Sequence, residues 1–585
     1  MKAHLGPGPR WGCVQAHRQC AQYAVVRSAR CKCAQYAVVR SVRLSTLAVR
    51  VSAAYGQLHR VGPGWGFTGN RRANMGDENQ LSGQEYLRKI LLARIYPVAR
   101  LTPVHKLDNL AEKLGVGKIF LKREDYQTVH SFKIRGAYNK IRQLSADQLA
   151  CGVVTASAGN HAQGVALSAK DLGIRAVIVM PNTTPDLKVD AVRRFGAEIE
   201  LYGESFDEAY AHAKELARAQ GLTMVPPFDD PDVIAGQGTI AHELLGQIND
   251  IDTVFVQIGG GGLAAGVAAY IKNLVPRIKV IGVEAEGSAS MKAACEHGAP
   301  VDIGFVSHFA DGVAVSLAGS ETFRLCKQYL DDIITCSNDE ICAAMKDIFD
   351  DTRAVAEPSG ALSLAGLKKY VREHKISGGN HVAILSGANV KFHTLRMVAE
   401  RCDVGEMTEG IVSVEIPEVK GSFLKFCETI GNRHVTEFSY RVHHADKARI
   451  FASIELSNGE RELKEISASL ENAGYKVTDL TKDALAKDHI RYMIGGHLAA
   501  GEAERLILFE FPETKGALND FLTKLGGIFS ISLFHFRISG LEYCSVLCGF
   551  DVTKGDQAQL ERFLQEIKYP YLDVTDNVAY QQFLC

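Results

Sequence analysis

Lys133, in Ser131-Phe132-Lys133-Ile134-Arg135-Gly136-Ala137, has the setting that most invites chemistry. A lone lysine is ordinarily a solvated surface charge. This one follows a short apolar strand, Ile119-Phe120-Leu121, and the charged run Lys122-Arg123-Glu124-Asp125 that closes it. Ser131 reads as the N-cap of a helix through Ile134, Ala137, Tyr138 and Ile141. A lysine in that first turn feels the positive helix end, which disfavours its ammonium form. A neutral amine is what a Schiff base with an aldehyde requires.

Three further stretches carry chemistry, each placed just after a strand. Gly259-Gly260-Gly261-Gly262-Leu263 follows Thr253–Ile258 and opens a helix over Ala264–Lys272. Such glycines let backbone amides converge on an anion, and the helix start adds favourable potential. The same residues fit a relaxed dinucleotide fingerprint, Gly260-x-Gly262-x-x-Ala265, with Glu284 at a later strand end where a ribose-binding acid would lie. Thr155-Ala156-Ser157-Ala158-Gly159-Asn160-His161-Ala162-Gln163-Gly164 exposes amides at a helix start, suited to a carboxylate. Within it Asn160 alone would pass for a cap or turn residue, and His161 serves equally as a packed, hydrogen-bonded histidine. Ser386, in Leu385-Ser386-Gly387-Ala388-Asn389, ends the last strand.

The elements that must position these residues alternate. Val153–Ala156, Ala176–Met180, Val254–Ile258, Val280–Val283 and Val382–Leu385 read as short buried strands separated by helical periodicity, with a further helix near Leu107–Leu114. That alternation predicts a parallel sheet covered on both faces, with the ligand site beyond the strands' carboxyl ends. The polar stretch from about Glu400 to Gly410 predicts a domain boundary. Beyond it the chain repeats itself: Ile416-Pro417-Glu418-Val419-Lys420-Gly421-Ser422-Phe423 returns 95 residues later as Phe511-Pro512-Glu513-Thr514-Lys515-Gly516-Ala517-Leu518. The copies continue to Phe438-Ser439-Tyr440-Arg441 and Phe534-His535-Phe536-Arg537, which predicts two small α+β modules.

At 585 residues the chain exceeds one domain, and no apolar run approaches the roughly 20 residues that span a bilayer. Residues 1–74 hold no Asp or Glu but twelve of the 66 Lys/Arg, which leaves 54 basic against 67 acidic residues in the remainder. A body that acidic is a poor partner for nucleic acid, so small-molecule chemistry is expected. The fourteen cysteines form no Cys-x-x-Cys pair and read as reduced, packed thiols, and no metal site is expected. The N-terminal extension repeats Cys20–Ser28 as Cys33–Ser41. It reads either as an Arg-rich organellar transit peptide, mitochondrial or plastid, or as upstream sequence before a true start at Met75, the reading preferred here, which makes the protein cytoplasmic.

Ser-Phe-Lys-Ile-Arg-Gly-Ala, the Asn160 decad, the glycine loop and the Ser386 pentad together resemble the pyridoxal-phosphate (PLP) enzymes built like the tryptophan synthase β subunit. With the duplicated C-terminal module, the chain from about Tyr86 onward resembles the biosynthetic threonine dehydratases. The resemblance implies an α/β fold with two parallel-sheet lobes over residues 81–400, and ACT-like regulatory domains over 411–485 and 505–580, after an extension at 1–80. It implies that Lys133 holds PLP and acts as general base, that Gly259, Gly260, Gly261, Gly262 and Leu263 hold its phosphate, and that Asn160 meets its 3′-oxygen. Ser386 would meet the ring nitrogen, and a hydroxyl there leaves that nitrogen largely neutral, which favours β-elimination. Ser157, Gly159, Asn160 and His161 would grip the substrate carboxylate. Glu357-Pro358-Ser359-Gly360-Ala361, Val225-Pro226-Pro227-Phe228-Asp229 and Asp311 match segments near the cleft without an assigned step, and Asp311 serves equally as a turn residue. The implied reaction is deamination of L-threonine to 2-oxobutanoate, in a homotetramer that isoleucine inhibits through the C-terminal modules. Other PLP enzymes of the group, such as serine racemase, and an amino-acid sensor with a decayed catalytic lobe are the rival readings.

Overall fold

The computed structural model of the chain describes residues 80–585 except 418–421, 432, 434, 445–446, 491–503, 513–520, 522–523, 526–528, 537–542, 553–556 and 584–585. The expectations for residues 1–74 lie outside the described residues. Eighteen strands follow one another along the described chain. Those of the first part are β1 (Val104–Lys106), β2 (Lys118–Arg123), β3 (Val153–Ala156), β4 (Ala176–Met180), β5 (Glu198–Leu201), β6 (Thr223–Met224), β7 (Thr253–Gln257), β8 (Lys279–Ala285), β9 (Asp332–Cys336) and β10 (Asn380–Leu385).

They form two sheets, in the orders β1-β2-β10-β7-β8-β9 and β5-β4-β3-β6. Every pairing in both is parallel except β1 with β2. Alternating side chains show why. In the larger sheet Phe255, Ile281, Val283, Ala383 and Leu385 enter one hydrophobic core, while Val254, Val256, Val280, Val382 and Ile384 enter another. The smaller sheet divides likewise, with Val153 and Ile178 on one side and Val154 and Val177 on the other. Apolar runs that bury both faces need helices above and below, as parallel sheets do.

The helix Lys133–Arg142 packs against the helices Asn160–Leu172 and Pro231–Gln247. Gly136 permits that approach: a Cβ there would stand 2.4 Å from the Gln237 amide nitrogen. Ser131 is not the cap that local sequence predicts. Phe132 occupies the N-cap position with helical dihedrals and no side-chain cap, and the Ser131 hydroxyl is buried without a partner. Tertiary pairing overrides capping here. Ser131 bridges Gly387, the Phe132 amide donates to Ser386 O (3.0 Å), and the Ala388 amide donates to His130 O (2.9 Å).

The charged residues around this helix are buried in a cluster. Arg135 meets Glu124 at 2.7 Å and Glu243 at 2.6 Å, and Lys122 meets Glu243 at 2.6 Å, with none of the four side chains more than 1% exposed. Full burial of two cations and two anions is tolerable only because each finds its opposite.

The repeat folds as two modules of one topology. Strands β11 (Glu409–Pro417), β12 (Val435–His444), β13 (Lys447–Glu455) and β14 (Lys476–Asp479) make an antiparallel sheet in the order β12-β13-β11-β14. Strands β15 (Glu504–Pro512), β16 (Ser530–Phe536), β17 (Tyr543–Asp551) and β18 (Tyr571–Asp573) repeat that order. The repeated Ile416-Pro417 and Phe511-Pro512 close equivalent strands, while Glu418–Gly421 and the second copy's 513–518 lie outside the described residues. Ile411, Phe451, Leu506 and Leu547 share one core, so the two sheets face each other.

The stretch expected to be a polar boundary is mostly helix. Thr394–Gly405 packs on the helix Asn338–Thr352, and Arg401 is buried between Asp339 (2.6 Å) and Asp488 (2.6 Å). Part of its polarity serves buried ion pairs, among them Lys368 with Glu406, while Asp403 stays exposed beside Lys346.

Candidate active site

Strands β2, β10 and β7 are neighbours, so the segments leaving their carboxyl ends converge. Lys133 follows the first, Ser386 the second and the glycine loop the third; β3, in the other sheet, delivers Asn160. Lys133, Asn160, Gly259 to Leu263 and Ser386 line one cavity. Residues more than 250 positions apart meet there: Asn389 donates to the Val129 carbonyl at 2.8 Å, 260 positions away.

The Lys133 amine donates to the Pro227 carbonyl at 3.1 Å and lies 5.3 Å from the centre of the Phe132 ring. Burial pushes its pKa down to about 8, and the Glu357 carboxylate works the other way. The lowered basicity expected from the helix end therefore has desolvation as its main cause. Glu357 is itself buried and accepts from the Asn160 amide (2.7 Å) and the Asn389 backbone amide (3.0 Å). Burial, then the nearby Asp311 carboxylate, raises it to about 7. Asn389 also donates to Asn160 Oδ1 at 2.6 Å, so both ends of the Asn160 amide are oriented.

Gly261 has φ +93°, the left-handed conformation that lets the loop turn into the helix Gly262–Leu274. No side chain caps that helix start, which leaves the loop's amides to an anion. The Thr322 hydroxyl secures the loop by donating to Gly260 O at 2.6 Å. Beside the Ser386 hydroxyl, Ser359 Oγ and Gln257 Oε1 line the cavity as buried polar atoms without a protein partner. Buried polar atoms without partners call for a polar occupant. A glycine cradle for phosphate, a desolvated amine for an aldehyde, and hydroxyl and amide groups for a heteroaromatic ring are the donor set that PLP needs. The site fits it.

The Ser157–Gly159 loop is half-buried, with the Gly159 amide donating to Ser157 Oγ at 3.4 Å and open space where a Gly159 Cβ would stand. The His161 side chain turns away from the cavity. Its ring is buried, Nε2 lies 2.9 Å from the Val225 carbonyl, and burial lowers its pKa to about 3. It is the packed, neutral histidine, and of the expected loop residues only Asn160 lines the cavity, while Ser157, Gly159 and His161 do not. Asp229 accepts from the amides of Ser320, Glu321 and Thr322 (3.0 Å each) and so caps the helix Ser320–Tyr329. Asp311 pairs with Lys188 across the two lobes at 2.9 Å.

Gln257 and Val313 line the cavity without having been singled out from sequence. Gln257 left one legible sign, a polar residue ending the otherwise apolar strand Thr253-Val254-Phe255-Val256. Its amide donates to Ile384 O at 2.9 Å, tying β7 to β10.

Residues 95–387 match the family described as pyridoxal-phosphate dependent enzyme, and residues 400–490 and 495–584 match the C-terminal regulatory domain of threonine dehydratase. The chain is 56% identical over 515 residues to the biosynthetic L-threonine dehydratase of Escherichia coli, a match covering 87% of this chain and all of that protein. It is 55% identical over 504 residues to the Pasteurella multocida enzyme of the same name, covering 86% of this chain and 98% of that one. The mitochondrial threonine dehydratase of Saccharomyces cerevisiae is 44% identical over 515 residues, covering 86% of this chain and 89% of that one. Among solved structures, the processed form of threonine deaminase isoform 2 from Solanum lycopersicum superposes with a TM-score of 0.54 at 49% identity, covering 54% of this chain and 92% of that one. With a lysine-centred cavity that fits PLP, a duplicated regulatory module and relatives matched along nearly their whole length, the chain belongs to the biosynthetic threonine dehydratases.

Proposed function

We propose that this chain converts L-threonine to 2-oxobutanoate and ammonia, the entry step of isoleucine synthesis, and that isoleucine restrains it through the C-terminal modules. The observation that carries the reading is the Lys133 amine, lowered to about 8 where three strand ends converge. PLP, when bound, supplies the electron sink that lets Cα lose its proton. Gly259 to Leu263 would hold its phosphate, Asn160 its ring oxygen and Ser386 its ring nitrogen. The Ser157–Asn160 loop would hold the threonine carboxylate. An amine of pKa about 8 is partly neutral at physiological pH, so Lys133 takes the Cα proton as general base. The Cβ–O bond then breaks with its electron pair on oxygen, which takes up a proton and departs as water; the released enamine tautomerises and hydrolyses, consuming a water, to 2-oxobutanoate and ammonia.

Purified protein should be yellow and release 2-oxobutanoate from threonine, and isoleucine should lower that rate. Lys133→Ala should lose the visible absorbance and the turnover while keeping its far-ultraviolet circular dichroism. A colourless native protein, or an active Lys133→Ala, refutes the assignment. We further propose a homotetramer, to be read by light scattering. We also place the enzyme in the cytoplasm, as supported by its similarity to bacterial enzymes. Cell fractionation tests this against the organellar location named for the yeast relative.

A further inference from the structure

Between the helices Ser290–His297 and Ser320–Tyr329 the chain holds no strand and a single short helical turn, Asp311–Val313. This segment touches two distant parts of the molecule. The His308 imidazole stacks on Tyr543, the first residue of β17 in the second module, with centroids 4.4 Å apart and planes 27° apart. Five residues further on, Val313 lines the cavity and presses its backbone against the glycine loop: a Cβ on Gly259 would stand 2.8 Å from Val313 Cα. Asp311, between them, pairs with Lys188 of the smaller lobe. Although burial pushes the Asp311 carboxyl up, the Lys188 ammonium, with help from His308, holds it below the usual range. The stretch has little slack. The Val313 amide donates to Ala310 O (2.9 Å), the Ala314 amide to Asp311 O (3.3 Å) and the Ser307 amide to Gly287 O (2.8 Å).

We propose that residues 308–313 form a lever through which the second module sets the packing of the glycine loop, with the Tyr543–His308 stack as its outer contact. The inference rests on the reading that the modules regulate catalysis, and adds where they take hold. A rearrangement of the module that moves the Tyr543 ring moves His308. The tied backbone carries that shift to Val313, and so to the loop that would hold the cofactor phosphate. The two positions of the lever are then biased by effector and by cofactor alike, which is what reciprocal coupling requires.

The test uses the full-length, PLP-loaded protein with Tyr543→Ala, which removes the ring, and Tyr543→Phe, which keeps it. Tyr543→Ala should bind isoleucine in calorimetry and keep its uninhibited rate, while the inhibition midpoint moves by about tenfold or more, within the range of allosteric couplings. Tyr543→Phe should follow the native protein. His308→Ala, on the opposite side of the contact, should reproduce the shift, and the double variant should add little to it. Native-like inhibition of Tyr543→Ala overturns the proposal, as does loss of isoleucine binding, which would place Tyr543 in an effector site. If the native protein ignores isoleucine, the regulatory reading falls. The lever is then judged by titrating cofactor-free protein with PLP. A severalfold change in Kd for Tyr543→Ala but not Tyr543→Phe upholds it, and equal constants overturn it.

Discussion

Glu243 offers the sharpest test of how the Lys133 helix is held. Its carboxylate accepts from Arg135 (2.6 and 3.0 Å), Lys122 (2.6 Å) and Tyr96 (2.9 Å), all within the cluster that also contains Glu124. Two cations face two anions, so Glu243→Gln keeps the shape and leaves one buried positive charge uncompensated. A pair this close attracts with on the order of 5 kcal/mol at an effective dielectric near 20. Breaking a buried pair from one side destabilises by about 3–5 kcal/mol. Glutamine keeps part of the hydrogen bonding, so about 3 kcal/mol is expected. For a lobe of this size that lowers Tm by roughly 6–12 °C. Adding Lys122→Met removes the surplus charge and leaves Arg135 paired with Glu124, so the double variant should recover more than half of the loss. The assay is thermal unfolding by circular dichroism at saturating PLP and fixed scan rate. Acid sensitivity gives a second reading. Burial pushes the Glu243 carboxyl up, but Arg135 and Lys122 hold it below its ordinary value. Its stabilisation is therefore present above the unfolded carboxylate range and lost as pH falls through the lower folded value, a loss Glu243→Gln should lack. A single variant within about 1 kcal/mol of native, or a double variant no better than the sum of its parts, refutes the reasoning.

Two further outcomes follow from the cavity. A Cβ on Gly260 would stand 2.3 Å from the Phe228 ring, so Gly260→Ala must displace that ring from the cavity wall. Overpacking of this kind amounts to about 1–3 kcal/mol, and PLP affinity should drop by about tenfold while far-ultraviolet dichroism is unchanged; unaltered affinity by fluorescence titration would contradict the cradle. Glu357, raised to about 7 chiefly by burial, binds its proton more tightly folded than unfolded. The cofactor-free protein should accordingly lose stability as pH climbs from the ordinary carboxylate range through about 7, by up to roughly 3 kcal/mol, and Glu357→Gln should not. Parallel urea midpoints of the two proteins at pH 6 and pH 8 would refute this.

Local pattern alone determined much of the scaffold. The expected strands Val153–Ala156 and Ala176–Met180 coincide with β3 and β4 because short apolar runs bounded by glycine or proline have few other places to go. The repeat at Pro417 and Pro512 likewise announced two modules, which the identical strand orders display. Strand–helix alternation also implied that Lys133, Asn160, the glycine loop and Ser386 would lie beyond strand ends.

Only the tertiary structure decided what each of these residues experiences. Ser131 was a sound cap by local rules, yet pairing with Gly387 claimed its backbone. The polar run near Arg401 read as a domain boundary, yet Arg401 itself is buried between Asp339 and Asp488. Arg135 carried no reading of its own within the Lys133 motif, yet it is fully buried, neutralised by Glu124 and by Glu243, the latter 108 positions away. His161 could have faced either way until the Val225 carbonyl turned it inward. The division has one physical cause. Propensity and periodicity act over a few residues and are written in order along the chain, whereas desolvation and charge compensation depend on partners that only the packed sheets and helices bring within hydrogen-bond reach.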